Sequence, residues 1–398
     1  MKNKENKDSL FNLEYHLCKK VDQMEWFPNS DDLFAWILLL GLFTMGFIQF
    51  FWVLWFHFRL VLFQEKEKKH LPPVSVIIAA RNEEDNLFKN LSFILEQDYP
   101  QFEVIVINHQ SKDDSQHILK AIAKDHKHLK IINLEPNRHL KTGKKLPLTI
   151  AIKGAEHNHL LFTDADCQPA SKSWLRKMAG SFDQKEIVLG YGPYKKEKGL
   201  LNRLIRLDTA MIALSYLSMA LGRVPYMGVG RNMGYTKELF FKNNGFKSHY
   251  ALQSGDDDLF VQENARKKNY TLCISEDAFM YSEGEKNWEN WLKQKGRHFT
   301  TTGYYKVFKK LLLGIYPLSL ILMHAFFFTL IYYRGVFWSG LTGYAFLIVL
   351  KWVISGLALR KIKENWIAVL FPFWDLFYAF MAPILFYTVD KSTERKWR

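Results

Sequence analysis

Four long apolar runs divide the chain, and a long mixed segment separates the first run from the other three. Residues 33–56 carry no charged side chain, and at 1.5 Å per residue such a run extends about 36 Å, more than the hydrocarbon core of a bilayer. Residues 311–333 form a second uncharged run, and 335–359 and 366–389 each contain one charge. One such run could be a buried core helix, but four of this length predict an integral membrane protein.

The segment between the first two runs predicts a soluble α/β domain. Residues 74–80, VSVIIAA, have the short, β-branched and wholly apolar pattern of a central parallel strand. Helical apolar spacing follows from Leu87 to Leu95, and strand and helix patterns then alternate as far as HLLFTDAD at 159–166. This alternation predicts a mostly parallel sheet, in which a ligand lies beyond the carboxyl ends of the strands.

Shifts in composition mark the boundaries between these parts. Charged residues followed by Pro72 and Pro73 separate the first apolar run from the α/β domain. The predicted parts are a polar segment (1–32), a transmembrane helix (33–58), a linker (59–73), the α/β domain (74–285), an amphipathic interfacial segment (286–310), a C-terminal membrane region of about three helices (311–389) and a basic tail (390–398).

Charge and cysteine content narrow the possible partners. The formal net charge is +14, but no nucleic-acid motif accompanies it and lysines flank the apolar runs, so anionic lipid headgroups are the expected partner rather than nucleic acid. Cys18, Cys167 and Cys273 lack metal-ligand spacing, which fits a reducing compartment. The first run is too long for a cleaved signal peptide, and we interpret it as an anchor.

Polar side chains follow three of the predicted strands, and they should meet at one edge of the sheet. The pair Asp164 and Asp166 is notable because close carboxylates repel each other unless a positive charge lies between them. A divalent cation suits such a pair, although a solvated turn is the simpler explanation for it alone. The groups are Arg81 and Glu83 after the first strand, Asn108 and His109 after the second, and Asp164 and Asp166 after a later one.

Seven motifs in order carry a family resemblance: SVIIAARNEE, VIVINHQSKDD, GKK, TDADC, GVGRNMGY, GDDDLF and QKGRH. Together they resemble membrane-bound glycosyltransferases of family 2, which share the GT-A fold, a Rossmann-like and mostly parallel sheet. The resemblance covers about residues 74–304, and the flanking membrane runs are similar in layout to cellulose, chitin and hyaluronan synthases. It implies a nucleotide-sugar donor, either a UDP- or a GDP-sugar, and Mg2+ or Mn2+ as cofactor.

The resemblance also assigns roles to individual residues. Asp166, with Asp164, would bind the metal, and Asp257, then Asp258 or Asp256, would be the general base. An acidic helix start is the plainer explanation for the aspartate triplet. Residues on the nucleotide side would be Ala79, Arg81, Glu83, Asn108, His109, Lys144 and Asp164, and residues on the acceptor and diphosphate side would be Gly230, Arg231, Asn232, Gln294, Arg297 and His298.

Two departures from the family pattern leave questions open. Asn108 and His109 stand where the family usually has an aspartate pair, so the mode of base recognition and the base itself stay open. His298 replaces the tryptophan of the QxxRW motif, which leaves acceptor stacking open. These departures would also fit a catalytically silent scaffold that binds a nucleotide. We rank this hypothesis below two in which the protein is an active transferase.

The leading hypothesis is inverting, metal-dependent transfer of a sugar to a membrane-associated, lipid-linked acceptor in envelope glycan synthesis. The alternative is a processive polysaccharide synthase with a glycan acceptor. Both predict an integral protein of the cell inner membrane with a cytoplasmic catalytic domain, because nucleotide sugars are made in the cytosol. Four spans would place both termini on the opposite side, which the positive-inside rule does not favour, so one run could be interfacial or re-entrant.

A buried ion pair is expected within the membrane region. Lys351 lies about eight residues from the end of the third run and Asp375 about nine residues into the fourth. In an antiparallel hairpin both would lie about 12 to 14 Å from the same end. We predict that they pair, because either charge alone would be costly in lipid.

Overall fold

The computed structural model describes residues 25–65, 70–135, 143–334 and 337–391. Cys18 and most of the predicted polar segment and basic tail lie outside the described residues. The strands of the described chain are β1 (Val74–Ala80), β2 (Phe102–His109), β3 (Leu129–Leu134), β4 (His159–Asp164), β5 (Cys167–Pro169), β6 (Ile187–Gly190), β7 (Met233–Thr236), β8 (Tyr270–Cys273) and β9 (Met280–Ser282).

Helices surround the sheet and extend from it at both ends of the chain. Those of the described residues are α1 (Leu33–Trp52), α2 (Phe58–Leu62), α3 (Glu84–Leu95), α4 (Ser115–Ile122), α5 (Lys145–Gly154), α6 (Trp174–Gly180), α7 (Leu200–Leu221), α8 (Lys237–Lys242), α9 (Asp258–Asn264), α10 (Trp288–Phe299), α11 (Val307–Arg334), α12 (Trp338–Lys361), α13 (Asn365–Val369) and α14 (Phe371–Thr388).

The central sheet has the strand order β3-β2-β1-β4-β7-β6-β8. β1 pairs in parallel with β2 and β4, and β2 pairs in parallel with β3. Every residue of β1 is buried because alternate side chains enter different cores: Ile77 and Ala79 pack on one face, Val76 and Ile78 on the other. The predicted fold class, an α/β domain with a mostly parallel sheet, is confirmed.

The far half of the sheet is built from short strands that the sequence pattern did not reveal. β7 is antiparallel to both neighbours, β4 and β6, and β8 then pairs in parallel with β6. Gly234 allows this close fit, since an added Cβ would lie 2.7 Å from the carbonyl oxygen of Leu160. This arrangement brings the loop before β7 to the carboxyl end of β4.

Three helices have the length and composition to cross a membrane while leaving much of their surface outside the protein core. α1 continues through a π-helical turn into α2 as one 30-residue helix, Leu33–Leu62, and α11 and α12 contribute Val307–Tyr333 and Trp338–Lys361. The helix α7 meets the same test, but 67% of its apolar stretch is buried inside the protein. It therefore packs as a buried element between the sheet and the membrane helices.

The fourth apolar run departs from the expected spanning helix. It forms two helices, α13 and α14, rather than one, and Pro372 and Asp375 lie at the start of the second. Residues on both sides of this run contact other parts of the chain: the Tyr191 hydroxyl donates to Glu364, just before α13 (3.0 Å), and the ring of Phe386 lies 5.3 Å from that of Phe299 in α10. Among the described residues, α14 is not one of the helices that are long and apolar enough to cross a membrane.

The predicted pairing of Lys351 with Asp375 is confirmed. Their side chains are 2.9 Å apart and each is no more than 3% exposed. The Tyr316 hydroxyl donates to both carboxylate oxygens of Asp375 (2.9 and 3.0 Å), and Lys351 also donates to Gln49 of α1. Each charge therefore has a partner, as a low-dielectric environment requires.

Candidate active site

A cavity of about 1560 Å³ lies beyond the carboxyl ends of β1 and β4 and continues toward the membrane helices. It is the place where a parallel sheet of this kind binds its ligand. The predicted site residues that line it are Ala79, Glu83, Lys144, Asp164, Asp166, Gly230, Arg231, Asp256, Asp257, Asp258, Gln294, Arg297 and His298.

The two carboxylates after β4 lie together but in different electrostatic surroundings. Lys144 pairs with Asp164, and although burial opposes ionisation, this ammonium holds the pKa of Asp164 below its usual range. Burial, reinforced by the charge of Asp164, raises the pKa of Asp166. Asp166 accepts hydrogen bonds from the Ser282 hydroxyl (2.8 Å) and the Cys167 thiol (3.2 Å). The site therefore holds one carboxylate in excess of its nearby ammonium.

The residues at this position fit a divalent cation. Ligand atoms of Asp164, Asp166 and Cys167 lie within 4.8 Å of one another, and the two carboxylates supply hard oxygen donors. A cation between them would offset both the burial and the repulsion from Asp164 that raise the pKa of Asp166. Mg2+ or Mn2+ suits this donor set.

The three consecutive aspartates face different partners. Asp256 lies 3.9 Å from the ammonium of Lys144, which links it to the Asp164 side of the cavity. Asp258 accepts hydrogen bonds from the hydroxyls of Thr301 and Tyr305 (2.5 and 2.8 Å), so its carboxylate anchors the segment after α10. Because two hydroxyl groups already bind the Asp258 carboxylate and give it a structural role, Asp257 is the stronger candidate for the base.

Asp257 has the environment of a weakly acidic carboxyl group. It accepts hydrogen bonds from the backbone amides of Gly230 (2.9 Å) and Asp258 (2.7 Å) and begins helix α9. Burial, followed by the negative charges of Asp256 and Asp258, raises the pKa of Asp257 to about 7. A carboxylate with this pKa can accept a proton near neutral pH.

The loop before β7 contributes one cavity residue and one structural residue. Arg231 lies over the Tyr194 ring (4.5 Å) and donates to the carbonyl of Gly192 (2.9 Å), which fixes its guanidinium in the cavity wall. Asn232, predicted on the acceptor side, is fully buried instead. Its amide accepts from the Trp174 indole (3.0 Å) and donates to the carbonyl of Tyr191 (2.7 Å), so it holds the loop in place.

Three predicted nucleotide ligands also lie away from the cavity wall. β2 continues through His109, whose side chain is fully buried, and Asn108 donates to Asn133 of β3 (3.1 Å). Arg81 is absent from the residues that line the cavity, although its charge helps to lower the pKa of His109 after burial. Glu83 does line the cavity, and burial raises its pKa to about 7.

Two family models match the chain. The model described as "Glycosyl transferase family 2" matches residues 75–242, and "Glycosyl transferase family group 2" matches 161–388, which is 228 of the 398 residues. The chain belongs to glycosyltransferase family 2. The mannosyltransferase PcManGT from Pyrobaculum calidifontis, solved in complex with GDP-Man and Mn2+, is similar in fold, with a TM-score of 0.51, 18% identity and coverage of 85% of this chain and 99% of that one.

Curated relatives match parts of this family 2 chain. The poly-beta-1,6-N-acetyl-D-glucosamine synthase of Staphylococcus epidermidis is 31% identical over 122 residues, which are 31% of this chain and 28% of that protein. The poly(ribitol-phosphate) beta-N-acetylglucosaminyltransferase TarS of Staphylococcus aureus (strain Mu50) is 27% identical over 218 residues, 53% of this chain and 36% of that protein. The chain therefore spans about a third of the length of these relatives.

The helix α10 carries the family-like QxxRH motif into the cavity. Asn287 caps its start by accepting from the Asn290 amide (2.9 Å), and Gln294, Arg297 and His298 line the cavity on one side. Burial, together with the charges of Arg297 and Lys295, lowers the pKa of His298 well below its usual value. At neutral pH this family 2 site therefore presents a neutral imidazole where the family motif has an indole.

No sequence motif indicates the buried cluster that joins α10 to α7 and α14. Lys295 of α10 pairs with Asp208 of α7 (2.8 Å), and the Tyr378 hydroxyl of α14 donates to the same carboxylate (3.2 Å). The two charged side chains are at most 7% exposed. Asp208 lies in an apolar helix far from any motif, so only the tertiary structure relates it to this site.

Proposed function

We propose that this family 2 protein transfers a sugar from a nucleotide-sugar donor to a membrane-associated acceptor, with inversion at the anomeric carbon. The observation that carries the proposal is that the carboxylates of Asp164 and Asp166 and that of Asp257 line one cavity. The first two suit a metal and the diphosphate, and the third suits a proton acceptor. Direct displacement at a glycosyl carbon requires both functions, stabilisation of the leaving diphosphate and acceptance of the acceptor proton.

The first part of the mechanism concerns the leaving group. Asp166 and Asp164 would hold Mg2+ or Mn2+, which, when bound, supplies the positive charge that stabilises a departing diphosphate. Arg297 lines the same cavity and can neutralise further negative charge. His298 is neutral near pH 7 and so adds no positive charge on the α10 side.

The second part of the mechanism concerns the acceptor hydroxyl. Asp257 accepts the hydroxyl proton as the acceptor oxygen bonds to the anomeric carbon and the bond from that carbon to the diphosphate breaks. The Gly230 amide, which donates to Asp257, fixes the orientation of the carboxylate. The products are the glycosylated acceptor, the nucleoside diphosphate and a protonated Asp257.

The donor is a UDP- or GDP-sugar in this proposal. A mannosyltransferase solved with GDP-Man supports a GDP-sugar, and two relatives named for N-acetylglucosamine polymers or transfer support a UDP-sugar. The cavity walls supply a site for the sugar and diphosphate common to both. The transfer assay with UDP- and GDP-sugars distinguishes the two donor classes.

A processive polysaccharide synthase is the second candidate function. It is favoured by the likeness to a poly-beta-1,6-N-acetyl-D-glucosamine synthase, which extends over 31% of this chain. Transfer to a lipid-linked acceptor in envelope glycan synthesis is our first choice, because the described residues provide few candidate spans for a secreting channel. Product length separates the two, since one adds a single sugar and the other a long chain.

We place the catalytic domain on the cytoplasmic side of the inner membrane. The connection between α12 and α13 contacts the domain through Glu364, which pairs with Arg206 (3.3 Å), so the basic segment before it lies on the same side. Lys391 lies over the Phe386 ring (3.4 Å), at the end of α14 that contacts Phe299 of α10. This orientation puts basic residues of both segments on the cytoplasmic side, as the positive-inside rule favours.

The test is a radiolabelled transfer assay with membranes that contain the full chain. A panel of UDP- and GDP-sugars is offered with Mn2+ or Mg2+, and Asp166→Asn is compared with wild type. The proposal expects incorporation from one donor into a membrane-extractable product, lost with EDTA and in Asp166→Asn. Nucleotide binding without turnover of any donor would favour the silent scaffold instead.

A further inference from the structure

The cavity does not end at the catalytic carboxylates but continues between two helices of the membrane region. One side is formed by Leu313, Pro317 and Ile321 of α11, and the other by Ala379, Ala382 and Phe386 of α14. We call this part the α11–α14 cleft. The wall of the cleft is apolar, whereas the wall around the aspartates is polar. The cavity as a whole therefore suits an amphiphilic ligand, with one polar and one apolar end.

Two prolines and a glycine shape the helices that form the cleft. Pro317 and Pro383 lie inside their helices, where a missing amide and a bulky ring disturb regular packing. Small residues add space: a Cβ added at Gly314 would meet no atom of the described residues within 4 Å. Leu318, which lines the cavity, is 56% exposed. The cleft is therefore open to the lipid side of α11.

The carboxylates along the cleft are paired. Asp375 lines the cavity, but it is paired with Lys351 at 2.9 Å, and Asp208 is paired with Lys295 at 2.8 Å. Lys310, in the first turns of α11, is exposed and donates to the carbonyl of Gly303 (3.0 Å). The six residues that form the walls of the cleft are apolar and offer an anionic headgroup no cation, whereas Arg297 of α10 lines the cavity outside the cleft.

The surroundings of Asp257 also disfavour an anionic acceptor. Asp256 and Asp258 stand on either side of it, and the nearby Lys144 is already paired with Asp164. A phosphate oxygen would be repelled by these carboxylates, and it is already ionised near neutral pH, so it needs no base. A hydroxyl group is different, because it must lose its proton as it attacks.

We propose that the acceptor is an electrically neutral lipid with a free hydroxyl group, which reaches Asp257 from the bilayer through the α11–α14 cleft. This inference rests on the proposed transferase function and specifies its substrate class. The lipid oxygen bonds to the anomeric carbon, the bond to the diphosphate oxygen breaks, the hydroxyl proton passes to Asp257, and the nucleoside diphosphate leaves. The apolar chain of the lipid stays between Ala382 and Pro317.

The first test separates a neutral acceptor from an anionic one. A total lipid extract of cells that make the protein is divided by anion exchange into an uncharged and an anionic fraction. Each is supplied in phosphatidylcholine vesicles with the full-length protein, Mn2+ and the radiolabelled donor panel. Label in the product of the uncharged fraction is expected. Label only in the anionic fraction, or only in a water-soluble glycan, would overturn the inference while leaving the transferase function intact.

The second test asks whether the lipid uses the cleft. Ala382→Phe fills the cleft, and Ile384→Phe, two residues further along the same helix at a side chain 59% exposed, is the matched control. We measure the ratio of sugar transferred to lipid to sugar released to water. Ala382→Phe should lower this ratio at least tenfold and Ile384→Phe should not change it. An unchanged ratio in Ala382→Phe would overturn the route.

Release of sugar to water distinguishes a failure of the lipid acceptor from a failure of the transferase function. If Ala382→Phe misfolds, it loses hydrolysis and transfer together, and Ala382→Leu, which fills less of the cleft, then replaces it in the test. If wild type releases no nucleoside diphosphate from any donor with either lipid fraction, the transferase function itself is wrong, and this inference falls with it. Release to water with no lipid product contradicts the neutral lipid acceptor alone.

Discussion

The ionisation of Asp257 gives the sharpest prediction for catalysis. Burial and the charges of Asp256 and Asp258 raise its pKa to about 7, so the carboxyl group is protonated in most molecules at pH 6 and ionised in most at pH 8. With a pKa of about 7, the ionised fraction rises from about one tenth to about nine tenths over that interval. If Asp257 is the base, kcat/KM should rise about tenfold.

Asparagine at this position removes the base with little change of shape. We expect Asp257→Asn to lower kcat/KM by about 10² to 10⁴ and to abolish the rise between pH 6 and 8. The assay is initial-rate transfer at saturating Mn2+ across this pH range, with donor concentration varied. A flat profile in wild type, or an unchanged rate in Asp257→Asn, would refute the assignment.

The neighbouring carboxylate provides a matched control. Asp256 is, after burial, the largest contributor to the raised pKa of Asp257. Asp256→Asn should therefore move the midpoint of the pH profile to lower pH while keeping its shape. Linkage gives an independent check: a carboxyl pKa raised on folding costs stability as pH rises above its unfolded value, so Asp257→Asn should stabilise the fold at pH 8 and not at pH 3.

Three further variants test the other assignments. Asp166→Asn should weaken Mn2+ binding at least about tenfold by calorimetry, because it removes a hard oxygen donor; unchanged affinity would exclude it as a ligand. Asp258→Asn should lower the free energy of unfolding by about 1–3 kcal/mol in thermal melts, since it disturbs the anchor for Thr301. Lys351→Met should cost about 3–5 kcal/mol and addition of Asp375→Asn should recover most of it; equal stability of single and double variants would contradict a buried pair.

The sequence was informative wherever one physical requirement dominated the choice of residues. The core strand β1 is buried on both faces, so all its side chains are small or apolar and its limits matched the prediction. The pairing of Lys351 and Asp375 followed from the rise of a helix and the cost of a lone charge in lipid. The position of Asp164 and Asp166 at the edge of the cavity followed from their place after β4.

Other features depend on contacts that no local pattern contains. Asn108 and His109 were expected in a loop at the edge of the sheet, but β2 extends through both residues and both are buried. Asn232 was expected on the acceptor side because it follows Arg231, yet its amide is used by Trp174 and Tyr191. Adjacent residues in a loop can point in opposite directions, and only the packing decides which.

The fourth apolar run shows why composition alone does not determine a membrane span. Its residues are apolar because α14 contacts both the cavity and the membrane helices, for example through Ala379, which packs in the same core as Leu320 of α11. A helix below the domain and a helix across the bilayer both need apolar side chains. By length and composition α11 and α12 could cross a membrane, and α14 is not among the described helices that could.

The most direct test of the central claim is the anomeric configuration of the product. The proposed base, Asp257, and the carboxylates proposed to bind the metal line one cavity, so the hydroxyl should attack as the diphosphate leaves from the other face. With a donor of α configuration, proton NMR of the isolated product should show a β linkage. An α linkage would mean retention of configuration, and it would contradict the role of Asp257 in a single displacement.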